Sequence, residues 1–168
     1  MAIYDREAAV SYANRYWNSY NPNFRRFLDD CTNFISQCLL AGGIPMTRSD
    51  NPSVGWWYHR ASRRENDRWS YSWSVANSLY WYLQGNHATG PRAVKKNSAK
   101  ELQLGDIICY DWNGDGKWNH NTIVTAFNSN GEPLVNAHTV NSQYRYWAYQ
   151  DSTAWTPQIQ YAFFHIVS

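Results

Sequence analysis

Apolar positions recur with a helical period near the start of the chain and give way to short β-branched or aromatic runs after residue 102. Ala9, Tyr12, Ala13, Tyr16, Trp17 and Tyr20 share helical spacing behind Asp5, which can cap the first turn, and Asn21-Pro22-Asn23 breaks the run. A second helix is expected to open near Asp29-Asp30 and to run through Leu40, where Gly42-Gly43 and then Pro45 stop it. Residues 44–70 are polar, Arg-rich and Trp-rich without clear period. A third helix covers roughly residues 74–83 and ends at Gln84-Gly85-Asn86. Strands are expected over residues 107–110, 122–127, 134–139, 143–149 and 160–167, separated by Asn, Gly, Asp and Pro turns. Helices first and a strand meander afterwards is an α+β order, not the alternation of a parallel sheet. With no repeat and no low-complexity linker, residues 1–168 read as one domain.

Composition sharpens that picture. Only 30 of the 168 residues are Leu, Ile, Val or Phe, a level that would suggest disorder. Ten Trp and 13 Tyr supply the missing bulk, each able to bury roughly 150–250 Å². The chain therefore folds around an aromatic-heavy core or lines a cleft with aromatic rings. A formal net charge of +2 argues against a nucleic-acid partner. The cluster Arg60, Arg63, Arg64 and Arg68, diluted by Glu65 and Asp67, reads as a solvated face. No run approaches the ~20 apolar residues of a membrane span, and Met1 to Glu7 has no signal-peptide pattern.

Three cysteines cannot form a disulfide framework, and no C-x-x-C suggests structural zinc. Cys31 falls at the expected first turn of the second helix. Unpaired amides and the helix dipole there favour an anion, which would lower a thiol pKa. Cys38, two turns along the same face, and Cys109, inside an apolar strand, read as core. A thiolate nucleophile needs a base. His59, His87 and His165 have ordinary solvated or sheet readings. His120 begins one expected strand and His138 ends the next, so both can meet at one rim of the sheet, facing the helix N-terminus.

Asp30-Cys31-Thr32-Asn33-Phe34-Ile35-Ser36-Gln37-Cys38-Leu39, then Gly42-Gly43, then Leu102-x-x-Gly105-Asp106-Ile107-Ile108, then Asn119-His120-x-x-Ile123-Val124 occur in that order. With Tyr12-Ala13-x-x-Tyr16-Trp17, Tyr20-Asn21-Pro22 and His138-Thr139, this set resembles the putative amidase domain family of Gram-positive bacteria. That family falls within the NlpC and CHAP type of papain-like cysteine hydrolases, and the resemblance spans roughly residues 8–165. It implies a papain-like α+β fold and cysteine-dependent cleavage of an amide in bacterial peptidoglycan, in the stem peptide or at the sugar–peptide junction. Cys31 is then the nucleophile and His120 the base, with His138, or Asn136 as fallback, orienting the imidazole. Tyr20 or Asn21 are candidates for the side chain that joins the Cys31 amide around the oxyanion.

Such an enzyme requires no cofactor, works as a monomer and touches neither nucleic acid nor membrane. It would act at the wall, as a secreted protein or as a phage lysin made in the cytoplasm. A wall-glycan binding module on the aromatic groove and an acyltransferase using the same Cys-His pair are the competing readings.

Two local features carry separable expectations. Asp111-Trp112-Asn113-Gly114-Asp115-Gly116 places oxygen ligands at alternate positions with Gly at the bend, so Asp111, Asn113 and Asp115 could hold a structural calcium. The metal-free reading is an Asn/Asp/Gly turn. In the hairpin between the two histidine strands, a two-residue Asn130-Gly131 turn pairs His138 with Ile123 and sends the histidines to opposite faces. A three-residue loop with Gly131 left-handed pairs Asn128 with Glu132 and His138 with Thr122, on the His120 face. The orienting role of His138, or of Asn136 on the same face, requires the odd loop or a compensating bulge.

Overall fold

The protein is described here by a computed structural model covering residues 3–168. Helix α1 (Arg6–Tyr16) is capped by Asp5, whose carboxylate accepts from the Ala8 amide at 2.9 Å. Helix α2 (Cys31–Ala41) ends at Gly42, with Gly43 left-handed behind it. The excursion after α2 folds into a ribbon of β1 (Tyr58–His59) and β2 (Arg68–Trp69), followed by α3 (Tyr71–Ser74) and α4 (Ala76–Gln84). The third expected helix is therefore two, broken where Val75 takes extended backbone angles. Strands β3 (Ala93–Lys96), β4 (Ile107–Asp111), β5 (His120–Phe127), β6 (Pro133–Ala137), β7 (Ser142–Tyr146) and β8 (Gln160–Ile166) form one antiparallel sheet in the order β3-β8-β4-β5-β6-β7. The α+β expectation stands. Strand β3 was not legible as a strand, because a four-residue edge with two exposed positions has little apolar pattern to show.

Pleating divides the sheet. One face carries Ile107, Cys109, Ile123, Ala162, Phe164 and Ile166 against Phe34, Ile35, Cys38 and Leu39 of α2. The other carries Ile108, Tyr110, Val124 and Val135 against Tyr149, which lies in the connection between β7 and β8. Each such apolar side chain contributes roughly 1.5–3 kcal/mol by leaving water.

Helix α2 is buried from Cys31 through Leu39, so its polar residues need partners inside. Asn33 accepts from the Trp73 indole, and Ser36 accepts from the Trp56 indole and donates to the Trp73 carbonyl. Thr32 donates to Asn121 of β5 at 2.6 Å. The central helix is thus pinned by indoles on one side and by the sheet on the other.

The Gly105-Asp106 pair has a structural role. Gly105 sits at φ +84° with its carbonyl bonded to the Tyr4 hydroxyl. The fully buried Asp106 carboxylate takes Arg6 at 2.7 Å, the Gln103 and Ile166 amides, and His165 at 3.0 Å. It ties α1, β4 and β8 at one corner.

Candidate active site

Cys31 is the first residue of α2 and is buried. Its thiol lies 3.6 Å from the Asp29 carboxylate and 3.6 Å from the Thr32 hydroxyl, and the backbone amide of Asn121 points at the sulfur. Burial, and next the Asp29 carboxylate, push this thiol up to about 12, outweighing the Thr32 and Asn121 contacts that favour the anion. The lowered pKa expected from the helix N-terminus is therefore not found. Helix amides attract an anion, but Asp29 and Asp30 already bring two carboxylates to that end. Nor does Asp30 cap the helix amides, since its Oδ1 accepts instead from the Phe27 amide and the Asn33 side chain.

His120 opens β5 and is also buried. Because Asn121 faces α2, alternation turns His120 to the opposite face, among the rings of Tyr110, Trp112 and Tyr149. Its Nε2 lies 3.3 Å from the Tyr149 hydroxyl. Burial, reinforced by the charge of Arg145, lowers this imidazole to about 3, so it is neutral. The Asn121 amide, which favours the Cys31 anion, directly follows His120, so the two residues are near one another in the fold. The two groups are neighbours whose side chains, in this conformation, have other partners.

His138 does not meet His120. The hairpin has the three-residue loop, with Asn128 N–H bonded to the Glu132 carbonyl at 2.9 Å and Gly131 at φ +76°. Thr125 then bulges out of the ladder, so Phe127 pairs with Pro133 but Val124 pairs with Val135 and Ile123 with Asn136. The bulge cancels the odd loop. Continued to its end, this register sets His138 across from Asn121, on the α2 face, and the expected pairing with His120 is corrected on that ground. His138 stacks on Phe34 with ring centroids 4.2 Å apart. Its Nδ1 lies 2.6 Å from Asp30 Oδ2 and its Nε2 2.6 Å from the Tyr16 carbonyl.

The remaining sequence candidates also have local partners. Asn136 accepts from Thr125 and from the Tyr144 amide and donates to Asn14 on α1, away from His120. Tyr20 lies against His138 under the Arg26 guanidinium, and Asn21 donates to Tyr12 and accepts from the Asn23 amide. In the 111–116 turn, the Asp111 carboxylate accepts from the amides of Gly114, Asp115 and Gly116, while Asp115 accepts from Lys117. Among the described residues no group of three His, Cys, Asp or Glu side chains converges as a metal site.

His120 opens onto a cleft of about 360 Å³ lined by Asp29, Trp112, Val140, Arg145 and Tyr149, among others. Asp29, Arg145 and Tyr149 had no functional signal in the sequence. Tyr149 (φ +57°) and Thr139 (φ +52°) both line the cleft with left-handed backbones, uncommon for a bulky or β-branched residue and often found where a site is held under strain. Larger grooves exist: one of about 700 Å³ between α1 and Leu102–Leu104 is lined by Arg6, Glu7, Ser11 and apolar side chains and includes no cysteine or histidine.

The family model described as Putative amidase domain matches residues 3–164. The chain is 56% identical over 164 residues to the uncharacterized protein YhbB of Bacillus subtilis, covering 98% of this chain and 50% of that one. It is 27% identical over 146 residues to the uncharacterized protein YjcM of the same organism, covering 82% of this chain and 31% of that one. The chain thus spans half or less of the length of these curated relatives. No solved structure matches it.

Proposed function

The chain belongs to the putative amidase domain family, and from that premise we propose that it is a papain-like cysteine hydrolase cleaving an amide in bacterial peptidoglycan. One observation carries the assignment of residues. Cys31 stands at the N-terminus of a buried helix with its sulfur against the first amide after His120, and His120 and Asp29 line one cleft. The peptidoglycan substrate is supported by the family resemblance alone.

With the thiol at about 12 and the imidazole at about 3, the resting pair is an uncharged thiol and an uncharged base. In the proposed mechanism, substrate entering the cleft takes the Tyr149 hydroxyl from His120, and the imidazole turns toward the sulfur. Such catalytic hydrogen bonds commonly close only in the substrate complex. His120 then accepts the thiol proton as Cys31 attacks the carbonyl carbon, and the Cys31 backbone amide meets the developing oxyanion. His120 returns the proton to the leaving amine, and water, deprotonated by the same ring, cleaves the thioester to carboxylate and free thiol. An amine in place of that water would give acyl transfer.

The experiment is digestion of defined peptidoglycan fragments by the purified chain, with and without added amine, followed by mass spectrometry. Hydrolysis predicts a mass gain of one water, lost in Cys31→Ser and His120→Ala. Unchanged fragments, or full activity in Cys31→Ser, would overturn the assignment.

A further inference from the structure

The Arg145 guanidinium is the lysine- or arginine-type cation among the residues lining the His120 cleft, and its side chain is 18% exposed. Its Cζ lies over the Tyr149 ring, 3.9 Å from the centroid, and that ring is 5.2 Å from the His120 ring. Its polar partners are weak ones. Nη2 and Nε reach Asp151 Oδ1 at 3.1 and 3.4 Å, but that carboxylate is 71% exposed; Nη1 reaches the Ser142 hydroxyl at 3.3 Å. An exposed ion pair is worth little and exchanges readily, whereas a guanidinium half-sheltered in a cleft presents a fork matched to a carboxylate. On the sulfur side of the same cleft stands Asp29, which repels a carboxylate. The cleft therefore has an electrical direction, positive beyond Tyr149 and negative beside Cys31.

We propose that Arg145 is the specificity-determining residue of this cleft, receiving a free carboxylate of the substrate in exchange for Asp151. This inference rests on the hydrolase reading above and adds to it a substrate class: amides whose flank carries a free carboxylate.

The test compares a muropeptide bearing its free carboxylates with the same compound converted to carboxamides. The wild-type chain is expected to favour the carboxylate form about ten- to hundredfold in kcat/KM, the range of a charge-assisted hydrogen bond. Arg145→Gln should abolish the preference through KM, with kcat nearly kept, and Arg145→Lys should restore part of it. Asp151→Asn leaves Arg145 in place, removes its competitor and should increase the preference; it carries the test if Arg145→Gln does not fold. Preference unaltered in Arg145→Gln, or absent in the wild type, overturns the proposal. If neither compound is cleaved, the hydrolase reading fails by itself. Calorimetric binding of the same two compounds then decides Arg145: tighter carboxylate binding lost in Arg145→Gln supports it, and equal affinities overturn it.

Discussion

His138 Nδ1 lies 2.6 Å from Oδ2 of Asp30, the residue that precedes Cys31. Its other nitrogen faces a carbonyl, which can only accept, so the ring donates from Nε2 to Tyr16. Asp30 Oδ1 accepts from the Phe27 amide and the Asn33 side chain, which leaves Oδ2 to Nδ1. The imidazole and the carboxyl group share one short hydrogen bond, and both are almost fully buried. It joins the ends of α1 and β6 to the N-terminus of α2, and the Thr139 hydroxyl accepts from the Asp30 amide at 3.0 Å. Both ring nitrogens of His138 are engaged, so neither faces Cys31 or His120 as a free base.

Removing one member of a buried hydrogen-bonded pair leaves the other without its partner. His138→Ala should therefore cost about 3–5 kcal/mol of stability, measured by urea unfolding. A residue that only oriented His120 would lose activity with its unfolding midpoint unmoved, and that result would displace this clamp.

Cysteine substitutions should separate by phenotype. Cys31→Ser is expected to abolish turnover with little change in the melting curve. Cys38→Ser and Cys109→Ser should instead lower stability by about 1–3 kcal/mol, since both are fully buried. Iodoacetamide should modify Cys31 in the resting protein with a rate still rising above pH 9, because its thiol is held up at about 12. A rate that levels off near neutral pH would mean that a preformed thiolate exists.

The lowered imidazole of His120 makes a signed prediction about acid. Above its ordinary value of about 6.5 the ring is neutral in both folded and unfolded chains. Between there and about 3 only the unfolded chain binds the proton, so stability falls as pH falls across that window. The contribution is about 1.4 kcal/mol per pH unit for one proton. Unfolding free energies measured from pH 7 to 4 should fall less steeply in His120→Gln, by about that slope. Parallel wild-type and variant profiles would show that His120 is not the group responsible.

Adding millimolar calcium to chelated protein should leave the melting temperature where it was. The Asp111 carboxylate that would lead a calcium loop is engaged by three backbone amides of its own turn. A calcium-specific rise of several degrees would reveal a metal-bound form of the 111–116 turn.

Much of this protein could be read along the chain, because capping, helical period and glycine stops are local. Asp5 and Gly42 mark helix ends, and the order of helices before strands gives the α+β class. The spacing around Cys31 points to the N-terminal turn of α2 for the same reason. What the tertiary structure decided is everything that depends on parity, burial or meeting across the sheet. One bulged residue, Thr125, reverses the face on which His138 emerges. Packing against the sheet desolvates Cys31 beside Asp29, so that burial overrides the helix dipole. Tyr149 and Arg145 reach His120 from chain 25 or more residues away, out of β7 and the connection that follows it. Local rules specify the elements; which polar groups are left to face one another follows only when those elements are stacked, because a one-residue slip or a few ångströms of burial changes partner and charge alike.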